Sequence, residues 1–237
     1  MDSDATSLDR SALVDETANA IRARIMSGEI PIGAQLRQAE LAARLGISRT
    51  PIREALRQLQ AGGLIEVLPR RGAVVRVPSP WEVREAYEVR AELEGLACER
   101  AVRRVTRTLL AELRGTNDVL RANERPPAPP GPGAPVSPTT LANDRFHTLI
   151  HEMAGNERLA RTIREINEAF PRNVSALVLQ DDPRHRADNL AEHERIVAAL
   201  EAEDAKLARR EMRDHVLAAG EQLARWYERR TATVFRG

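Results

Sequence analysis

Ser48, Arg49, Thr50 and Arg53 crowd the start of one short helical stretch, and Arg70, Arg71 and Gly72 crowd a later turn. Arginine's planar fork can hold O6 and N7 of a guanine together, and each such pair gives ~1–3 kcal/mol of base discrimination. Arg49 and Arg53 are one helical turn apart and share a face. Both fall in the first turn or so, the part of a recognition helix that meets base edges. The Ser48 and Thr50 hydroxyls suit phosphate oxygens, as do the free N–H groups of a helix start. Arg70 and Arg71 are placed to straddle the adjoining groove. The set points to binding of double-stranded DNA. The plain alternative is a helix with solvated arginines, which a lone arginine would favour and this ordered set does not.

A second group is the histidines, at 147, 151, 185, 193 and 215. Asn143 and His147 lie one turn apart in LANDRFHTLIHEMAGN, so their side chains project together. His193 opens the apolar run HERIVAALEA, and His215 lies in REMRDHVLAAGEQL. Imidazoles brought together from three helices of a bundle suit a divalent ion such as zinc or nickel, with an oxygen ligand to complete the set. On the residues alone, His147 with His151 is a rival pair and Asp144 a rival oxygen donor. Isolated histidines of a helical domain are more often structural.

The elements that must position these groups can be read from periodicity. Val14, Ala18, Ile21 and Ile25 give a helix over 11–27 one apolar face, and Gly28 ends it. EIPIG is an extended connector. Leu41 and Leu45 mark the next helix, which stops at Gly46; Ser48 then caps a third helix buried along Ile52, Ala55, Leu56 and Leu59. LIEVL and AVVRV read as strands joined by the turn PRRG. This order is a winged helix-turn-helix over residues 8–77. After VPSP the pattern is helical throughout, at 81–104, 107–123, 139–153, 156–179, 184–202 and 204–229, with a Pro-rich loop at 125–138. The expected fold is mostly α: an N-terminal winged helix-turn-helix and a C-terminal all-α bundle of about six helices over 81–230.

Composition sets the bounds. The chain has 237 residues, 42% apolar but only 3% aromatic, so its cores are expected to be aliphatic. The net charge is +1, yet residues 36–76 carry eight arginines against three glutamates, so positive charge concentrates on the DNA-binding pattern. One cysteine, Cys98, excludes an intrachain disulfide. No apolar run reaches membrane-spanning length and the polar N-terminus is no secretory signal, so a cytoplasmic protein without a membrane partner is expected. Neither HExxH, GxSxG nor a phosphate-binding glycine loop occurs, which argues against an enzyme.

The stretch LAARLGISRTPIREALRQLQAGGLIEVLPRRGAVV closely resembles the DNA-binding domain of the GntR family of bacterial transcriptional regulators, and the likeness runs from about residue 12 to 77. It implies that Arg49 and Arg53 read bases, that Ser48, Thr50 and Pro51 sit at the DNA, and that Gly72 lets the wing approach the minor groove. Ala39 departs from the family, which often carries a DNA-touching arginine there; Arg37 is the candidate substitute. NDRFHTLIHEMAGN and HERIVAALEAEDAKLARREMRDHV resemble the ligand-binding FCD domain of the FadR-like branch. That resemblance places metal ligands at Asn143, His147, His193 and His215, leaving His151 and His185 outside the set. It implies a bound metal that helps hold a small organic acid, a homodimer and a pseudo-palindromic operator. Asn143 is the neutral choice at its position and binds a cation less strongly than Asp. Arg90 is the candidate to meet the acid's carboxylate, with an intrahelical pair to Glu94 as the competing role. The metal histidines argue against the acyl-CoA effectors of some relatives. The expected function is operator binding, as a repressor, controlled by the acid; a metal sensor is the alternative, and a metal-dependent enzyme a remote one.

Overall fold

Val14, Ala18, Ile21 and Ile25 form the buried face of the first helix, α1 (Asp2–Met26). It begins ahead of the expected residue 11, because the polar residues before it carry no apolar period to reveal a helix. The computed structural model describes residues 2–123, 137–170 and 183–234. It divides into two units, the first consisting chiefly of Met1–Val77 and the second of the helices that follow.

In the first unit, α2 (Gln38–Leu45) turns into α3 (Arg49–Ala61) through Gly46, whose φ of 68° is left-handed and costs a glycine little. Strands β1 (Ile65–Leu68) and β2 (Gly72–Val75) pair antiparallel, with Ile65 opposite Val75 and Leu68 opposite Gly72. The connector after α1 is more than a link. Gln35 bridges Val74, the Leu36 N–H donates to the Ala73 carbonyl at 2.8 Å, and the Val75 N–H donates to the Ala34 carbonyl at 2.9 Å. The wing is thereby pinned to the helices. One apolar cluster, including Ile21, Ile25, Leu41, Ile52, Leu56, Leu59, Ile65 and Val75, joins α1, α2, α3 and the ribbon. Burying each such aliphatic side chain contributes roughly 1.5–3 kcal/mol, so α3 is held rigidly with its opposite face to solvent.

The second unit contains, among the described residues, six α-helices and no strand. They are α4 (Pro80–Ala101), α5 (Arg107–Ala122), α6 (Pro138–Ala154), α7 (Glu157–Glu168), α8 (Pro183–Glu201) and α9 (Ala205–Val234). Ser79 and Glu82 form a reciprocal capping box at the start of α4, with Pro80 in its first turn. Thr106 and Ser137 cap α5 and α6. Ser137 and Pro138, assigned to the Pro-rich loop by sequence, therefore begin α6; the rest of that loop, 125–136, lies outside the described residues. The helix expected over 156–179 is present as α7; residues 171–179 also lie outside the described residues. Helices α4 and α9 approach closely because Gly220 lies against Tyr87, where an added Cβ would fall 2.5 Å from the Tyr87 Cβ. Arg84 to Glu221 at 2.8 Å and Arg209 to Glu99 at 2.8 Å tie the same pair of helices at the surface. Helix α4 also packs on α6, α5 on α6 and α8, and α8 on α9. This arrangement brings α4, α5, α6, α8 and α9 around one interior. No described helix is long and apolar enough to cross a membrane.

Candidate functional site

The exposed face of α3 carries the expected reading residues. Ser48 stands at the N-cap with extended backbone, but its hydroxyl makes no capping bond, so it is free for an external acceptor or donor. Arg49 and Arg53 are exposed and Thr50 is half-buried. Arg53 Nε donates to Glu54 at 3.3 Å, and Arg57 donates to the same carboxylate at 3.1 Å. Desolvation would raise the Glu54 carboxyl, but the bonds and charges of Arg53 and Arg57 together outweigh it and hold it below its ordinary value. Arg37 is exposed and bonded to Glu40 at 3.1 Å and Gln35 at 3.2 Å. Pro51 is buried in the first turn of α3. A proline in the first turn of a helix serves the backbone, since its missing N–H has no intrahelical acceptor there.

At the wing tip, the Arg71 N–H closes a turn onto the Leu68 carbonyl, with Pro69 and Arg70 in its centre. Arg70 takes φ 64° and Gly72 takes φ 70°. Left-handed backbone costs a non-glycine residue roughly 1–2 kcal/mol, so Arg70 occupies this position at some expense. Arg70 is exposed, whereas the Arg71 guanidinium donates to the Gly33 carbonyl at 3.3 Å. Of the two wing arginines, Arg70 is thus the freer to reach outward.

The helical unit gathers three of the five histidines. His147 on α6, His193 on α8 and His215 on α9 are 6%, 0% and 4% exposed, and each offers a ring nitrogen within 4.8 Å of the others. The Nε2 atoms of His147 and His215 face each other at 3.3 Å. Among the described residues, His193 Nε2 is buried with no hydrogen-bond partner. So is Asn143 Oδ1, one turn before His147 on α6. A buried polar atom left unpaired costs ~1–3 kcal/mol, and two beside a close imidazole pair fit a site built to hold a cation. Phe146 stacks on His193 with centroids 3.8 Å apart and fixes its ring plane.

Burial lowers His193 well below the usual imidazole value, and its histidine neighbours lower it further. Burial also lowers His147, against the opposing pull of Glu94. Both rings are therefore neutral at neutral pH, the state in which imidazole is a metal ligand.

Behind these rings stands a group that the sequence reading did not single out for this role. Glu94 on α4 is 0% exposed and receives His147 Nδ1 at 2.9 Å, His151 Nε2 at 2.9 Å and Arg90 Nε at 2.8 Å. Burial alone would raise its carboxyl; the neighbouring His147 and Arg90 and the histidine bonds outweigh burial and hold it well below the carboxylate range. Glu192 meets His215 Nδ1 at 2.8 Å, and Asn117 Oδ1 meets His193 Nδ1 at 3.2 Å. The signal for Glu94 was available: it interrupts the α4 stripe of Val83, Tyr87, Ala91, Cys98 and Ala101, and an acid on a buried stripe needs partners. Asn117 interrupts the stripe of Leu110 and Leu113 in the same way.

His151 bonds Glu94, and its ring centroid lies 6.5 Å from that of His147. Glu94, His147 and His151 form a second close triad, but Arg90 already neutralises its carboxylate, which disfavours a cation there. Arg90 forms the intrahelical pair with Glu94 and lies over the Tyr87 ring, 5.0 Å from its centroid. The bond to Glu94 uses Nε alone. Asp144, the rival oxygen donor, contributes to the electrostatic environment of Arg90.

Residues 13–75 match the gntR family of bacterial regulatory proteins, and residues 85–218 match the FCD domain. Over 219 residues the chain is 32% identical to a protein of Paenarthrobacter nicotinovorans named "Probable D-xylose utilization operon transcriptional repressor", covering 92% of each. It is 35% identical over 106 residues to the gluconate operon transcriptional repressor of Bacillus subtilis (strain 168), covering 45% of this chain and 43% of that one. The solved structure of a GntR transcriptional regulator from Rhodococcus sp. RHA1 shares the fold, with a TM-score of 0.68 at 21% identity over 89% of this chain and 96% of that one. With a winged helix-turn-helix of matching sequence and an all-helical FCD domain behind it, the chain belongs to the gntR family of bacterial regulatory proteins and is a DNA-binding transcriptional regulator.

Proposed function

We propose that this regulator is a cytoplasmic homodimeric repressor whose hold on a pseudo-palindromic operator is set by a small organic acid bound beside a divalent metal ion in the helical unit. The observation that carries the metal reading is the buried donor set: His147, His193 and His215 with mutually close ring nitrogens, and Asn143 with its Oδ1 unpaired. Zinc or nickel suits three imidazoles. When bound, the ion would supply a fixed positive charge for a carboxylate. Arg90, beside Glu94 at the same interior, is the candidate second anchor for that acid. A gluconate operon repressor among the relatives is consistent with control linked to a sugar acid.

On the DNA side, Arg49 and Arg53 read base edges while Ser48, Thr50, Arg37 and Arg70 engage the backbone. Arg71 and Gly72 shape the wing tip. Two wings related by a two-fold axis would match two half-sites, so any rearrangement that alters their spacing weakens both contacts together. The acid controls release only to the extent that it binds the released state more tightly.

The test is binding of the full-length protein to duplex from its own upstream region, compared with scrambled duplex of equal length at moderate salt. Preference for the upstream duplex, lost on adding a metal-dependent acid, supports the reading; equal affinity for both duplexes refutes it. A metal sensor is the second reading, favoured by the completeness of the histidine cluster, and zinc alone would then release the operator.

A further inference from the structure

We infer that Glu94, Glu192 and Asn117 are positioning residues that set the tautomers of His147, His215 and His193, so that each ring presents an unprotonated Nε2 to a shared divalent cation. The inference rests on the metal reading above and concerns residues outside the ligand set.

An ionised carboxylate only accepts hydrogen bonds. Glu94 Oε2 lies 2.9 Å from His147 Nδ1, and Glu192 Oε2 lies 2.8 Å from His215 Nδ1, so in each ring the tautomer's one hydrogen sits on Nδ1. Asn117 Oδ1, 3.2 Å from His193 Nδ1, makes the same demand of the third ring. Every Nε2 is then a lone pair. This decides the contact between His147 and His215: at 3.3 Å their Nε2 atoms have no hydrogen to share, and two lone pairs face each other. His193 Nε2 is a third lone pair with no donor. The free histidine side chain prefers its hydrogen on Nε2, so the three acceptors hold the rings against their own preference. A cation accepting all three lone pairs removes the conflict.

Glu94 cannot readily turn into the cluster and become a ligand itself. Arg90, His147 and His151 approach it from α4 and α6 and engage both of its oxygens. Its part is to orient His147. Glu192 is more open than Glu94, with a side chain 20% exposed.

Long-range 1H–15N correlation spectra of the full-length, chelator-treated protein read the tautomers directly, and zinc competition against a chromogenic chelator reads the affinity. The expected result is Nδ1–H for His147, His193 and His215 in the wild type. In Glu192→Ala, His215 should shift to Nε2–H and zinc affinity should fall roughly 10–100-fold, whereas Glu192→Gln, which keeps an acceptor oxygen, should retain the tautomer and most of the affinity. A wild type with Nε2–H at His147 and His215, or a Glu192→Ala protein with unchanged tautomer and zinc affinity, overturns the inference. Nδ1–H tautomers in a wild type that binds neither zinc nor nickel would instead overturn the metal reading and leave the tautomer assignment standing.

Discussion

Replacing His193 with leucine separates the cost of an unfilled polar cluster from the benefit of filling it. His193 is 0% exposed and its Nε2 is unpaired. Leucine removes that unpaired atom, worth ~1–3 kcal/mol, but leaves Asn117 Oδ1 without its donor, a penalty of similar size. The two nearly cancel, and the metal-free variant should melt within a few degrees of the metal-free wild type. Metal linkage acts differently. An ion present at about 100 times its Kd stabilises the folded wild type by about 2.7 kcal/mol. For chains of this size each kcal/mol moves the melting temperature by about 2–4 °C, so zinc should raise the wild type by about 5–11 °C. The His193→Leu protein, deprived of one imidazole, should lose most of that shift at the same zinc concentration. Scanning calorimetry of both proteins, with chelator and with zinc, measures all four values. A zinc-dependent rise of equal size in the two proteins would refute the reasoning, because His193 would then hold no metal.

Arg49→Ala should weaken binding to the preferred duplex by about 1–3 kcal/mol while affecting scrambled duplex much less; equal losses on both, by fluorescence anisotropy, would contradict base reading. Arg70→Gly should relieve the left-handed strain at φ 64° and raise the melting temperature of the wing-bearing unit slightly. The same change should weaken DNA binding regardless of sequence and reduce the salt slope by about one. Gly220→Ala gains at most ~1 kcal/mol of helix propensity, but its Cβ would lie 2.5 Å from Tyr87 Cβ, and the overpacking should win and lower the melting temperature. Bonds from Arg84 and Arg225 hold the Glu221 carboxyl down to about 2 from an ordinary 4.5. Its contribution to stability is therefore complete above pH 4.5 and lost as pH falls toward 2, and Glu221→Gln should shallow the acid limb of a melting-temperature profile over that window. The effect should be small, since the side chain is 40% exposed.

The elements were legible wherever one face of a helix is buried and the other wet. Ile52, Ala55, Leu56 and Leu59 announced α3, and the glycine after α2 announced the turn before it. The grouping of His147, His193 and His215 was legible through family resemblance; spacing alone left His147 with His151 equally open, because residues on three helices meet only after packing. Glu94 shows the limit most clearly. Beside Arg90 it reads as an ordinary surface ion pair one turn apart, and only its complete burial against α6 turns it into the acceptor for two histidines. Two tertiary bonds were equally invisible: Arg71 to the Gly33 carbonyl, which draws one wing arginine back, and Gln35 to Val74, which makes the connector an edge of the wing. Pro51 was placed at the DNA by resemblance; its burial at the start of α3 was not legible from that likeness.

The most direct test of the central claim is operator affinity of the full-length protein under four conditions: with chelator, with zinc, with gluconate and chelator, and with zinc and gluconate. The account predicts that the last condition alone raises Kd for the upstream duplex at least tenfold, which requires only ~1.4 kcal/mol of coupling. The same Kd in all four conditions, across a panel of small carboxylates, would contradict it.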